Sequence, residues 1–141
     1  MYLLDTNVIS ELRKARSGRA NENVCLWADS VHANDLFLSV CTIQELETGV
    51  QRVERRDPSQ GEMLRTWLEG QIMTSFENRI LPVSQEVAIT SAGFHVPDPK
   101  PAMDMLIAAT SMVHGLILVT RNVADFDVSG LKVLNPWGDT T

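Results

Sequence analysis

The sequence has no apolar run long enough to cross a membrane and no positively charged leader. None of its apolar stretches reaches the ~18 consecutive residues that a membrane span needs. The first residues, MYLLDTNV, turn polar after four positions and carry no lysine or arginine, unlike a secretory signal peptide. These absences lead us to expect a cytoplasmic protein with no membrane partner.

Cysteine and histidine are also scarce. Cys25 and Cys41 form neither a CxxC pair nor a metal-spaced pair. In a cytoplasmic chain, two such thiols are more typical of core filler than of a disulfide or a zinc site. We expect both to be free and structural. The three histidines form no catalytic constellation, and we expect them to be structural as well.

Basic residues are outnumbered, since 12 lysines and arginines face 18 acidic residues and the net charge is −6. This balance argues against a broad basic surface that would grip duplex nucleic acid. It does not exclude a small nuclease, because acids that recruit divalent cations add to the same negative count. The basic residues gather at 13–19 and 52–56, and such groups are typical of solvated helix faces.

Short apolar runs alternate with stretches of helical periodicity along the chain. The runs predict strands at 2–4, 36–40, 80–83, 116–119 and 131–134. In one of the helical stretches, Thr42 and Glu45 have capping-box spacing. Parallel strands need crossovers, so the pattern predicts a three-layer α/β/α fold with a mostly parallel central sheet of about five strands. At this length we expect one domain over residues 1–141.

Polar side chains follow the predicted strands where those strands end. Asp5 ends the first strand, Glu45 lies one helical turn beyond the second, and Asn122 and Asp125 lie just beyond the fourth. In open parallel sheets the ligand site lies beyond the C-terminal ends of the strands. This edge of the sheet is therefore the candidate site.

Asp104 is the only formal charge in the apolar run from Ala102 to Thr120. An unpaired carboxylate is costly to bury, so it needs a partner, a capping role or a metal ion. The run predicts a buried helix that Pro101 opens and Gly115 closes, with Asp104 in its first turn. Two positions are possible for the start of this helix. It lies at the opposite edge of the sheet, or it lies at the candidate edge if the loop 96–101 brings the chain back there, and the sequence does not choose between them.

Each acid also has a structural explanation. Asp5 is placed to cap the first helix, Glu45 to complete a capping box with Thr42, Asp125 to form a turn and Asp104 to complement a helix dipole. If the acids instead converge, their mutual repulsion calls for divalent cations. Oxygen ligands suit Mg²⁺ or Mn²⁺ better than Zn²⁺, and paired hard cations activate water for phosphodiester hydrolysis.

Several stretches, in order, resemble the PIN domain, most closely the VapC- and FitB-type toxins of bacterial type II toxin–antitoxin modules. They are LLDTNVISE at 3–11, TIQELETG at 42–49, DMLIAAT at 104–110, HGLILVTRN at 114–122 and DFDVSGLKVLNPW at 125–137. The resemblance covers nearly the whole chain. The set is specific, although LDTN alone is not.

The resemblance implies a magnesium-dependent endoribonuclease toxin, with Mn²⁺ able to substitute for Mg²⁺. Asp5, Glu45 and Asp104 would be its catalytic acids and metal ligands, and Thr6 and Thr120 would be supporting hydroxyls. It also implies three interactions: a cognate antitoxin as protein partner, RNA as substrate and a second copy of the chain in a homodimer.

The chain departs from the family pattern at Asn122, where a fourth acid is common. An amide can coordinate a metal ion, so Asn122 stays in the expected ligand set, but it brings no charge. We therefore expect one firmly held cation and a second that is weaker or arrives with substrate. Asp125 is a possible substitute. Arg121 and Lys100 flank the acids and are candidates to meet substrate phosphates, although solvated surface charge is the commoner role of such residues.

Two other functions fit parts of the pattern. A non-catalytic interaction domain would use the acidic cluster to bind a basic partner segment. A haloacid dehalogenase-type phosphatase would have a second acid two residues after the first-strand aspartate, where this chain has Asn7. Mg²⁺-dependent RNA cleavage that is lost on substituting Asp5 separates the nuclease from the pure binder.

Overall fold

The computed structural model describes residues 1–138, which form helices around one five-stranded sheet. The strands are β1 (Tyr2–Leu4), β2 (Leu36–Ser39), β3 (Ile80–Leu81), β4 (Ile117–Val119) and β5 (Val133–Leu134). The helices are α1 (Thr6–Arg13), α2 (Glu22–Asp29), α3 (Val40–Arg56), α4 (Pro58–Trp67), α5 (Met73–Ser75), α6 (Gln85–Phe94) and α7 (Ala102–Val113). A π-helical turn, Leu68–Ile72, joins α4 to α5.

The sheet has the order β3-β2-β1-β4-β5, and all four pairings are parallel. Leu3 lies opposite Phe37 on one side and Leu118 on the other, so β1 is central. The chain builds outward from β1 to β3 and then returns to add β4 on the opposite side. The strand order therefore reverses between β1 and β4, and the predicted three-layer parallel fold is confirmed.

Neighbouring residues of β1 serve opposite faces of the sheet because side chains alternate along a strand. Leu4 packs in a buried cluster with Val8 and Ile9 of α1 and with residues of α3 and the π-helical turn. Leu3 packs in a second cluster with Ile107 of α7 and Leu118 of β4. Each face of the sheet thus has its own apolar core, and the two cores hold α1 and α7 in place.

The start of α3 differs from the sequence expectation. The capping box of Thr42 and Glu45 is wrong, because the helix begins at Val40 and Ser39 is its N-cap, with the Ser39 hydroxyl accepting the Cys41 N–H at 3.0 Å. Ser39 ends β2 with extended backbone, which is the conformation that an N-cap requires. Glu45 is therefore free of any capping role.

The direction of α7 decides where Asp104 lies. Gly115, in the left-handed region at φ +65°, turns the chain from α7 into β4, and the Ile117 N–H donates to the Met1 carbonyl at the beginning of β1. Because β4 is parallel to β1, α7 must end at the N-terminal edge of the sheet. Its first turn, with Asp104, consequently lies at the C-terminal edge.

Both cysteines are free, as expected, with Cys41 buried and Cys25 half-buried. β3 is an edge strand, which suits Pro82 directly after it, since proline has no N–H to offer a neighbouring strand. No helix within residues 1–138 is long and apolar enough to cross a membrane.

Candidate active site

A polar cavity of about 430 Å³ lies at the C-terminal edge of the sheet. Asp5, Glu45, Asp104 and Asn122 all line it, each delivered by a different part of the chain. The structure thus brings together the four residues that the sequence predicted as metal ligands. Asp125 and Lys100 are not among the residues that line it.

Asp5 is the N-cap of α1 and also lines the cavity. Its Oδ1 accepts the Thr6 N–H and its Oδ2 accepts the Thr120 hydroxyl, both at 2.8 Å. The residue is only 6% exposed, and this burial raises the pKa of its carboxyl above the usual value, although both hydrogen bonds oppose the rise. The capping explanation is therefore correct, and it leaves Asp5 within the site.

Glu45 is half-buried in the second turn of α3. Its Oε1 accepts a short hydrogen bond from the Thr6 hydroxyl. Thr6 therefore connects two of the acids, because its N–H binds Asp5 and its hydroxyl binds Glu45. This contact sets the orientation of the Glu45 carboxylate toward the cavity.

Asp104 is half-buried, and its pKa is raised by burial and then by the negative charges of Asp5, Glu45 and Asp125, in that order. Asp125 lies in an exposed 3₁₀ turn, Val123–Phe126, which fits its turn explanation. Asp5, Glu45 and Asp104 form no ion pair with a lysine or arginine in the part of the chain that the structure describes, whereas Glu11, which also lines the cavity, is paired with Lys14. The cavity therefore holds uncompensated negative charge.

The donor atoms of the cavity suit a hard divalent cation. They are carboxylate, amide and hydroxyl oxygens, which are typical ligands of Mg²⁺ and Mn²⁺. Within residues 1–138, however, no three acidic, histidine or cysteine side chains lie close enough together to hold an ion as they stand. A cation would thus have to draw the acids together, and the relief of their mutual repulsion would favour that movement.

Asn7 is a site residue that the sequence analysis missed. Its Nδ2 lies 3.3 Å from the Thr120 hydroxyl and 3.4 Å from Asp5 Oδ2, and its Oδ1 accepts the Arg121 N–H at 3.3 Å. Asn7 therefore ties the start of α1 to the residues after β4. The LDTN stretch at 4–7 was the sequence signal that could have pointed to Asn7.

Trp137 also lines the cavity and was not singled out from the sequence. The Arg121 guanidinium lies over its ring, 5.3 Å from the centroid. The other basic residue of the cavity, Lys14, is paired with Glu11 at 3.2 Å. The sequence signal was the NPW stretch at 135–137, but only the fold brings it to the acids.

Comparison with known proteins supports one family. A model described as PIN domain matches residues 2–128. The protein named VapC ribonuclease Y4jK from Sinorhizobium fredii is 34% identical, over 97% of this chain and 98% of its own length. Toxin FitB from Neisseria gonorrhoeae is 37% identical, over 99% of this chain and 100% of its own length.

Solved structures agree with this result. The crystal structure of FitAcB from Neisseria gonorrhoeae superposes with a TM-score of 0.87 and 36% identity, covering 97% of this chain and 99% of that chain. DNA-bound VapBC from Salmonella typhimurium superposes with a TM-score of 0.74 and 20% identity, covering 97% and 98%, which shows a shared fold.

Proposed function

This chain belongs to the PIN domain family, and on that premise we propose that it is the toxin of a type II toxin–antitoxin module, a metal-dependent endoribonuclease. The proposed substrate is RNA, and the proposed catalytic residues are Asp5, Glu45 and Asp104. The observation that carries the proposal is that these three acids, from separate elements, line one cavity without compensating ion pairs.

The proposed mechanism divides the work among the acids. Asp5 and Asp104 would hold Mg²⁺, or Mn²⁺ in its place, with Asn122 as a neutral further ligand. When bound, the cation supplies positive charge that stabilises the charge developing on the phosphate. Glu45, oriented by the Thr6 hydroxyl, would position the attacking water and take its proton. The products would be a 3′-hydroxyl and a 5′-phosphate, as the family resemblance implies.

Thr120 and Asn7 support this division by holding Asp5. The Thr120 hydroxyl and Asn7 Nδ2 both donate to Asp5 Oδ2, at 2.8 and 3.4 Å, while Asp5 Oδ1 accepts from the Thr6 N–H. The Asn122 N–H donates to the Thr120 hydroxyl oxygen at 3.0 Å, so Asn122 belongs to the same hydrogen-bond network. Asp5 is thus held at the junction of β1 and α1 rather than on a free loop.

The proposed partners follow from the relatives. A further solved structure, described as a toxin-antitoxin complex from Klebsiella pneumoniae, superposes with a TM-score of 0.68 and 25% identity over 96% of this chain and 98% of that chain, which supports a cognate antitoxin for this chain. We propose that the antitoxin blocks the acidic cavity with a basic side chain. A homodimer, a single domain over 1–141 and a cytoplasmic location also remain proposals. The PIN family match removes the phosphatase alternative.

The test is a cleavage assay on total RNA with Mg²⁺, with EDTA, and with the Asp104→Asn variant. We expect cleavage only by the wild type with metal, because the variant loses a metal ligand. Asp127→Asn is the matched control, since Asp127 is exposed and lies outside the cavity, and it should cleave like the wild type. Equal cleavage in every condition would mean that the activity is a contaminant. A wild type that binds RNA or a basic peptide without cleaving RNA would favour the interaction domain.

A further inference from the structure

An arginine stacked on a tryptophan stands at the rim of the acidic cavity. Arg121 directly follows Thr120, whose hydroxyl binds Asp5, and its guanidinium carbon lies 5.3 Å from the centre of the Trp137 ring. A guanidinium over an indole face is attracted by the ring quadrupole. Both residues line the cavity with Asp5, Glu45 and Asp104.

The guanidinium of Arg121 keeps its N–H groups available. It makes no hydrogen bond or ion pair among residues 1–138. The pKa of Glu11 is lowered by the hydrogen bond from the Asn21 N–H, by Lys14 and, to a smaller extent, by the charge of Arg121, while burial acts in the opposite direction. Arg79 is a useful contrast, because it also lies over an aromatic ring, at 5.0 Å, but donates to the carbonyls of Ala33, Leu36 and Ser75. Arg121 therefore has a held position and unused donors.

Trp137 is fixed in place by the segment that carries it. The backbone N–H of Trp137 donates to Asn135 Oδ1, and its backbone carbonyl accepts from Asn23 Nδ2, both at 2.9 Å. Gly138 follows at φ +122°, and a Cβ there would lie 2.7 Å from Asn23 Nδ2. The backbone of Trp137 is thus anchored to α2, and its ring lies beneath the Arg121 guanidinium.

Resting on the ribonuclease proposal, we infer that Arg121, held by Trp137, binds a phosphate of the RNA strand beside the acids. A cavity lined by carboxylates repels a polyanion, so the strand needs a cationic contact close to the point of cleavage. The planar guanidinium fork matches phosphate oxygens, and stacking on one face leaves its in-plane N–H groups free to donate. Trp137 is then a positioning residue that acts through Arg121.

The test uses steady-state cleavage of a fluorogenic RNA oligonucleotide with Mg²⁺. Arg121→Gln should raise KM about tenfold, the effect of losing one charge-assisted hydrogen-bonded contact. When log KM is plotted against log salt concentration, the slope for Arg121→Gln should be smaller than the wild-type slope by about 0.7, the value for one phosphate contact on a single strand. Arg121→Lys should recover part of the loss. Lys132→Gln removes the same charge at the opposite edge of the sheet and should leave KM and its salt slope unchanged.

The role of Trp137 is tested by substituting it in the wild type and in the Arg121→Gln variant. Trp137→Leu should raise KM about two- to fivefold, the size of an exposed cation–π contact, while Trp137→Phe should lie close to the wild type. In the Arg121→Gln background the Trp137→Leu substitution should add nothing. An equal loss in both backgrounds would show that the ring acts directly, for example by stacking on a base, and would overturn the positioning role. Thermal melts separate these effects from misfolding.

Failure of this inference is distinguishable from failure of the proposed function. If the wild type cleaves and Arg121→Gln keeps its KM and salt slope, only the phosphate contact is wrong. RNA binding by fluorescence anisotropy in an Asp104→Asn background tests the contact without cleavage. If that protein binds RNA equally with Gln or Arg at position 121, the contact is refuted whatever the catalytic result.

Discussion

Gly61 lies at a close approach between α3 and α4, and its replacement should destabilise the helical hairpin that carries Glu45. A Cβ added at Gly61 would lie 2.5 Å from the Cα and 2.8 Å from the backbone nitrogen of Glu54. Non-bonded carbons pack at about 3.5–4.0 Å, so the two helices would have to separate locally by roughly 1 Å. The neighbour is backbone and cannot rotate away.

Two opposing effects set the size of the Gly61→Ala change. Alanine is favoured over glycine in a helix interior by about 1 kcal/mol. Overpacking of a tight contact typically costs 1–3 kcal/mol, and separating the helices would also stretch the ion pairs of Arg65 with Glu47 and Glu54. The steric term is the larger, so we expect a net loss of about 1–2 kcal/mol and a fall in Tm of roughly 3–8 °C.

Thermal unfolding followed by circular dichroism measures this change, and Gly49→Ala is the matched control. Gly49 lies within α3, is exposed, and has no atom within 4 Å of an added Cβ, so only the propensity gain remains. Its Tm should rise by a few degrees, the effect of about 1 kcal/mol. If Gly61→Ala raised Tm as much as Gly49→Ala does, the close approach of α3 and α4 would be wrong.

Three further predictions concern buried and paired polar groups. Asp104→Asn should raise Tm in EDTA at pH 7 while abolishing cleavage, because the raised pKa of Asp104 means that its ionised form destabilises the fold; an unchanged Tm would contradict this. Thr42→Val should gain about 1 kcal/mol in urea unfolding, since the buried Thr42 hydroxyl has no partner within residues 1–138, and a loss would mean that it has one. Hydrogen bonds from Arg65 lower the pKa of Glu47, so this pair contributes stability above the ordinary value of 4.5 and loses it as the pH falls through the lowered pKa. Arg65→Met should therefore flatten the decline in the urea midpoint between about pH 5 and 3, and a decline as steep as the wild type's would refute the assignment.

The acidic cavity lowers the stability of the protein. Burial raises the pKa values of Asp5 and Asp104, and the charges of nearby acids add to the rise at each residue; the hydrogen bonds to Asp5 offset only part of that effect. The supporting hydroxyls belong to Thr6, the first residue of α1, and to Thr120, which directly follows β4. The cost is thus confined to a few side chains on a rigid frame, as is common for functional sites.

Local pattern was enough to predict the strands and several helix ends. Gly115 ends α7, as expected, and Ser84 caps α6, because capping and left-handed turns depend on adjacent residues. The capping box of Thr42 and Glu45 was wrong because local sequence could not choose between two candidate N-caps. Two hydroxyl residues lay near one helix start, and the extended end of β2 selected Ser39.

The sequence by itself determined the alternation of apolar runs, and with it a parallel sheet whose strand ends carry Asp5 and Asn122. Only the tertiary structure decided that Asp104 lies at that same edge, because its position follows from the parallel pairing of β4 with β1. The same is true of Trp137, which meets Arg121 through contacts with α2. Strand and cap signals are local in sequence, whereas the pairing of residues more than one hundred positions apart depends on the packing of the whole fold.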